Sequence, residues 1–120
     1  MFRKRNTDRI VTKTIFPVNQ METAVAFYTA AGFGVEQFDA NYAFVMHQDE
    51  ELLHLRTVDN LDTETNSAAI FMHVASADAW HVRWSKAGLE VSPIGDEEHG
   101  MREFNVRDPS GNLIRVGHNL

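Results

Sequence analysis

The chain has 120 residues, 43% of them hydrophobic and 23% charged, with a formal net charge of −6 and no cysteine. That length carries one domain with its own core, and the missing cysteine excludes disulfides, thiolate nucleophiles and cysteine-held metals. No apolar run is long enough to span a bilayer and no signal-peptide core opens the chain, so a cytoplasmic protein without a membrane partner is expected; the acidic balance argues against nucleic acid.

A basic arm at the start, with Arg3, Lys4, Arg5 and Arg9, reads as a solvated segment rather than a phosphate-binding patch. Residues 10–18, IVTKTIFPV, form a strand by β-branched content and alternation. Asn19 with Glu22 has the spacing of a capping box. Met21, Ala24, Val25, Tyr28 and Ala31 follow at helical intervals, up to the stop at Gly32. FGVEQFD, YAFVMHQ and ELLHLRTV read as three short strands, and the polar DNLDTETNS as the loop between two halves. The order then recurs. AAIFMHVA is a strand, Ser76 caps a helix running through Lys86 to Gly88, LEVSPI is a strand and GDEEHG a loop. REFNVRDPSGNLIRV closes the chain as a hairpin turning at Asp108-Pro109-Ser110-Gly111.

The two halves read as one unit written twice, β-α-β-β-β, with module one over about 10–58 and module two over about 68–118. Adding 56 to the residue number superposes Met21 on Ala77, Ala24 on Trp80, Tyr28 on Trp84 and Gly32 on Gly88. A slightly larger shift puts Phe44 on Phe104 and Leu53-His54-Leu55 on Ile114-Arg115-Val116.

METAVAFYTAAGFGV and GMREFNVRDPSGNLIRV resemble the first helix and the last hairpin of the vicinal oxygen chelate superfamily, which contains glyoxalase I, extradiol dioxygenases and the fosfomycin- and bleomycin-resistance proteins. The hairpin is most similar to that of bleomycin-resistance proteins. The resemblance implies an α+β fold in which the two βαβββ modules form an open, curled mixed sheet around a cavity, with helices outside. It also implies a small-molecule ligand and a homodimer in which two chains share each cavity.

Alternation then assigns the faces. Thr14, Phe16, Leu53, Leu55, Ile70, Met72, Phe104, Val106, Ile114 and Val116 are expected in the core. Lys13, Ile15, Leu52, His54, Arg56, Ala69, Phe71, His73, Glu103, Asn105, Leu113 and Arg115 are expected to face the cavity. Carried over from the family's metal enzymes, the ligand positions are Lys13, His54, Ala69 and Arg115. Only the histidine is a usual ligand, and Lys and Arg repel a dication. No metal and no cofactor are therefore expected, unless His54, His73 and Glu103 converge to rebuild a site.

The expected ligand-binding residues are Lys13, His54, Arg56, Phe71, His73, Glu103, Asn105 and Arg115, with Glu103 able to neutralise one of the cations internally. Trp80 and Trp84 read as core, and His47, His81, His99 and His118 as surface. Two functions remain open: a metal-free protein sequestering a drug-like or acidic molecule, or a metal-independent isomerase or lyase with His54 as its acid or base.

Overall fold

The computed structural model describes residues 8–120, so most of the basic arm lies outside the described residues. Module one contains β1 (Thr14–Val18), α1 (Met21–Ala30), β2 (Gly34–Asp39), β3 (Tyr42–His47) and β4 (Glu50–Thr57). Module two contains β5 (Ala69–His73), α2 (Ala77–Lys86), β6 (Gly95–Asp96), β7 (Met101–Arg107) and β8 (Leu113–Asn119). The α+β architecture of two βαβββ modules is thus present, as two four-stranded sheets ordered β1-β4-β3-β2 and β5-β8-β7-β6. In each, the first strand pairs in parallel with the last and the rest are antiparallel.

The duplication extends to the backbone. Ala31 and Ala87 cap the two helices, Gly32 and Gly88 follow at φ +96° and +87°, and both stops close on the same set of backbone hydrogen bonds. Register places Phe44 opposite His54 and Asn105 opposite Arg115. With His54 equivalent to Arg115, the partner of Phe44 is Asn105 rather than Phe104, because Phe104 turns inward with the core.

Each helix packs on one face of its own sheet, and the two sets of buried side chains join in one core. Trp84 and Tyr28 are wholly buried, with Phe16, Leu53, Leu55, Phe104, Ile114 and Val116 around them. Rings of that size each remove roughly 150–250 Å² from water, an upper bound of about 4–6 kcal/mol apiece. The Trp84 indole Nε1 donates to the Ala31 carbonyl at 2.9 Å, tying α2 to the end of α1.

Five expectations change. Thr14 is exposed, since β1 begins beyond the reach of the helix layer, and the chain from 10 to 13 adds no strand. Ile70 and Met72 are only half-buried because both border an open groove beside β5. Asn19 is not the helix cap: Gln20 takes that place without a side-chain bond, while the Asn19 amide oxygen accepts from the Ser110 hydroxyl at 2.9 Å. LEVSPI is not a strand. Pro93 lacks an N–H, and the Ser92 hydroxyl accepts from Asn105 N–H in place of a ladder carbonyl, so apart from one Ser92 N–H to Asn105 carbonyl bond the ladder starts at Gly95.

The predicted hairpin turn becomes the joint between modules. Asp108 accepts from the backbone N–H groups of Ser110 and Asn112 and from the Tyr28 hydroxyl at 2.7 Å. The Asn112 amide donates to the Pro17 carbonyl at 2.8 Å, and the Asn66 amide donates to Asn112 and to the Ser110 carbonyl. Among the described residues no buried side-chain nitrogen or oxygen lacks a partner.

Candidate functional site

One face of each sheet is covered by its helix, which leaves the other face of each open. On module two, β7 and β8 set Asn105 opposite Arg115, and β5 sets Phe71 opposite Arg115 from the other side. The Arg115 guanidinium lies 4.8 Å over the Phe71 ring, and Phe71 packs on His73 with ring centroids 4.7 Å apart. Arg115 Nε and Nη2 both donate to Glu103 Oε1, at 3.0 and 2.8 Å. His99 Nε2 donates to Glu103 Oε2 at 2.8 Å. Burial by itself raises the Glu103 pKa, but the bonds from Arg115 and His99 outweigh it and hold the carboxyl below its ordinary range.

On module one, His54 occupies the position equivalent to Arg115 and is held from two sides. Its Nε2 lies 2.6 Å from Glu51 Oε1 and its Nδ1 2.7 Å from the Tyr42 hydroxyl. An ionised Glu51 can only accept, so Nε2 carries the proton and Nδ1 accepts from Tyr42. Phe44 and Tyr42 pack edge-on against the imidazole. Arg56 is exposed on the same face, opposite Tyr42. Lys13 is exposed at the margin, where its ammonium donates to the Glu51 carbonyl at 2.6 Å. Between the modules runs a groove of about 570 Å³ along the open edge of β5, lined by residues including Thr14, Leu52, His47, Phe71, His73 and Trp80.

The structure brings Phe71, His73, Glu103, Asn105 and Arg115 onto one face, and His54 and Arg56 onto another. Lys13 and Arg115 each have a partner within their own module. The structure does not bring His54, His73 and Glu103 together. Among the described residues no three His, Asp or Glu side chains converge on a point where an ion would sit. The four family positions hold an ammonium, an imidazole with both nitrogens engaged, a methyl group and a guanidinium, a donor set that fits no divalent ion.

Trp84 is core, as expected, whereas Trp80 is half-buried and also lines the groove. The four histidines expected at the surface all have contacts. His99 holds Glu103, and His118 Nδ1 accepts from Ala77 N–H at the start of α2. His81 packs on Phe104 and bonds the Ser92 carbonyl, and His47 packs on Phe33 and Trp80. Tyr42 and Glu51 were missed. Their signal is β-register with His54, which becomes visible only once the hairpin alignment is known.

Two βαβββ modules, joined back to back through their helices and each leaving one sheet face free, define a duplicated α+β protein of the vicinal oxygen chelate kind. The model of the Glyoxalase/Bleomycin resistance protein/Dioxygenase superfamily matches residues 9–116, and the chain belongs to that superfamily. Among functionally curated proteins none matches its sequence. Among solved structures it is similar to a bleomycin resistance determinant encoded on transposon Tn5, at 18% identity and a TM-score of 0.84, covering 92% of this chain and 98% of that one. It is similar to the bleomycin-binding protein of bleomycin-producing Streptomyces verticillus, complexed with copper(II)-bleomycin, at 26% identity and a TM-score of 0.77, covering 92% and 96%. It is also similar to TnmS3, an antibiotic binding protein from Streptomyces sp. CB03234, at 22% identity and a TM-score of 0.68, covering 92% and 98%. Among the described residues no helix is long and apolar enough to cross a membrane.

Proposed function

We propose that this chain is a metal-free small-molecule-binding protein that sequesters a drug-like ligand against its free sheet faces. The observation that carries this reading is the Arg115–Glu103 pair: where the superfamily's enzymes anchor an ion, this chain has a guanidinium already matched by a carboxylate 7% exposed. The face is built for packing, with His73 and the Arg115 guanidinium against Phe71, and Tyr42 and Phe44 beside His54. Antibiotic binding by structural relatives supports the same class of ligand. The acidic-ligand branch has less support, because the charge of Arg115 is met internally. A second copy of the chain completes the enclosure in this reading: one chain leaves both faces open, and Ile15 and Phe38 stand exposed on module one.

The test is elemental analysis of purified protein together with thermal-shift screening of bleomycin, aromatic acids and neutral aromatic compounds, with light scattering for mass. Stabilisation by a compound without stoichiometric metal, at the mass of a dimer, supports the reading. A tightly held metal overturns it.

One observation favours a second reading, a metal-independent isomerase or lyase. Glu51, His54 and Tyr42 form a carboxylate–imidazole–phenol chain. Both imidazole nitrogens are engaged, so the phenol of Tyr42 is the group that would meet a substrate, with His54 as its proton acceptor. Turnover abolished by Tyr42→Phe would establish it.

A further inference from the structure

Arg115 is more constrained than an exposed arginine needs to be. The centre of its guanidinium lies 4.8 Å from the centroid of the Phe71 ring, Phe71 packs at a 42° tilt on His73, and the Nε–Nη2 edge is held by Glu103. Residue 117 makes this arrangement possible: a Cβ at Gly117 would come within 3.0 Å of both Glu103 Cβ and the tip of the Phe71 ring. The side chain of Arg115 remains 41% exposed, and among the described residues its N–H groups donate only to Glu103, through Nε and Nη2. Asn105, exposed and directly opposite across the ladder, places an amide at the rim.

We propose that this stack is a subsite for an uncharged planar heteroaromatic ring bearing a carbonyl group, the ring lying on Arg115 and the carbonyl oxygen accepting from its end-on N–H groups. This deepens the binding reading and rests on it. Charge decides between carbonyl and carboxylate. Arg115 is already matched by Glu103, so its guanidinium has no unpaired charge left for an anion. A ligand carboxylate at the open edge of Arg115 also meets the Glu103 carboxylate on the adjoining edge, and that repulsion offsets much of the attraction. A carbonyl keeps the hydrogen bond without the repulsion, while a flat ring gains from stacking on a guanidinium that is already ordered.

Nicotinamide and nicotinate share one ring and differ in this group, so they are the probes. Titrations of the full chain near neutral pH follow the Arg115 Nε–H and Phe71 ring resonances by NMR. Nicotinamide is expected to shift both and to bind more tightly than nicotinate. Arg115→Lys, which keeps the charge and loses the plane, is expected to weaken nicotinamide about fivefold. Glu103→Gln is expected to reverse the preference, because the guanidinium is then unmatched. Should either variant misfold, Phe71→Leu keeps the apolar volume, removes the stack and is expected to weaken nicotinamide similarly. Tighter binding of nicotinate to the natural chain, or nicotinamide binding indifferent to these changes, overturns the proposal. Shifts confined to Tyr42 and Phe44 sink it while leaving the binding reading intact. A chain that binds neither these probes nor any screened compound loses both.

Discussion

The hydroxyl of Tyr28 donates to Asp108 across 80 positions of sequence, at 2.7 Å and out of contact with water. Tyr28→Phe leaves a buried carboxylate short of one donor and is expected to cost about 1.5–3 kcal/mol in denaturant unfolding. Burial, then the Asp108 charge and hydrogen bond, push the Tyr28 pKa well above its usual value. A group whose folded pKa is raised stabilises below the unfolded pKa, near 10, and loses that contribution as pH climbs through the folded value. Alkaline unfolding is therefore expected above about pH 10, with a shallower slope in Tyr28→Phe.

Glu103 sets the opposite limb. Its folded pKa is lowered, burial being outweighed by its bonds from Arg115 and His99. Its contribution is present above about 4.3, the unfolded carboxylate value, and is lost as pH falls through the lower folded one. Glu103→Gln is expected to lose about 1–3 kcal/mol at neutral pH and to flatten the acid side of the stability curve. An unchanged acid slope contradicts the pairing.

Gly111 and Gly32 form a matched contrast. Both have positive φ, +88° and +96°. A Cβ at Gly32 meets open space, so Gly32→Ala is expected to cost about 1–2 kcal/mol, the left-handed penalty alone. At Gly111 the Cβ collides with the Thr63 carbonyl, a backbone group that cannot swing aside. Gly111→Ala is expected to cost clearly more in the same melts, and equal losses would show that the 59–66 loop does not pack there.

Metal provides a fourth check. The family positions fit no ion, so dialysis against EDTA and addition of zinc are each expected to leave the melting temperature within about 1 °C.

Local physics made much of this legible. The helix stripe ending in Gly32 and Gly88, the Ser76 cap and the Asp108–Gly111 turn each follow from a few adjacent residues. The module order came from their repetition. What stayed hidden depends on distant partners. Asn19 looks like a cap until Ser110 claims its oxygen, and LEVSPI looks like a strand until the Ser92 hydroxyl meets Asn105. In the site, the chemistry of Arg115 pointed to an acidic partner and Glu103 supplied it. The donors His99 on Glu103 and Tyr42 on His54 depend on turn length and register that no short motif encodes.

The joint at the final turn also bears on how the protein is made. The first half contains every strand of its own sheet, yet the phenol of Tyr28 and the carbonyl of Pro17 meet their partners only at residues 108 and 112. A nascent chain therefore has to extend past residue 112 before its opening module is sealed. Emergence of the 108–112 turn, rather than synthesis of that module, is the moment at which the two halves lock.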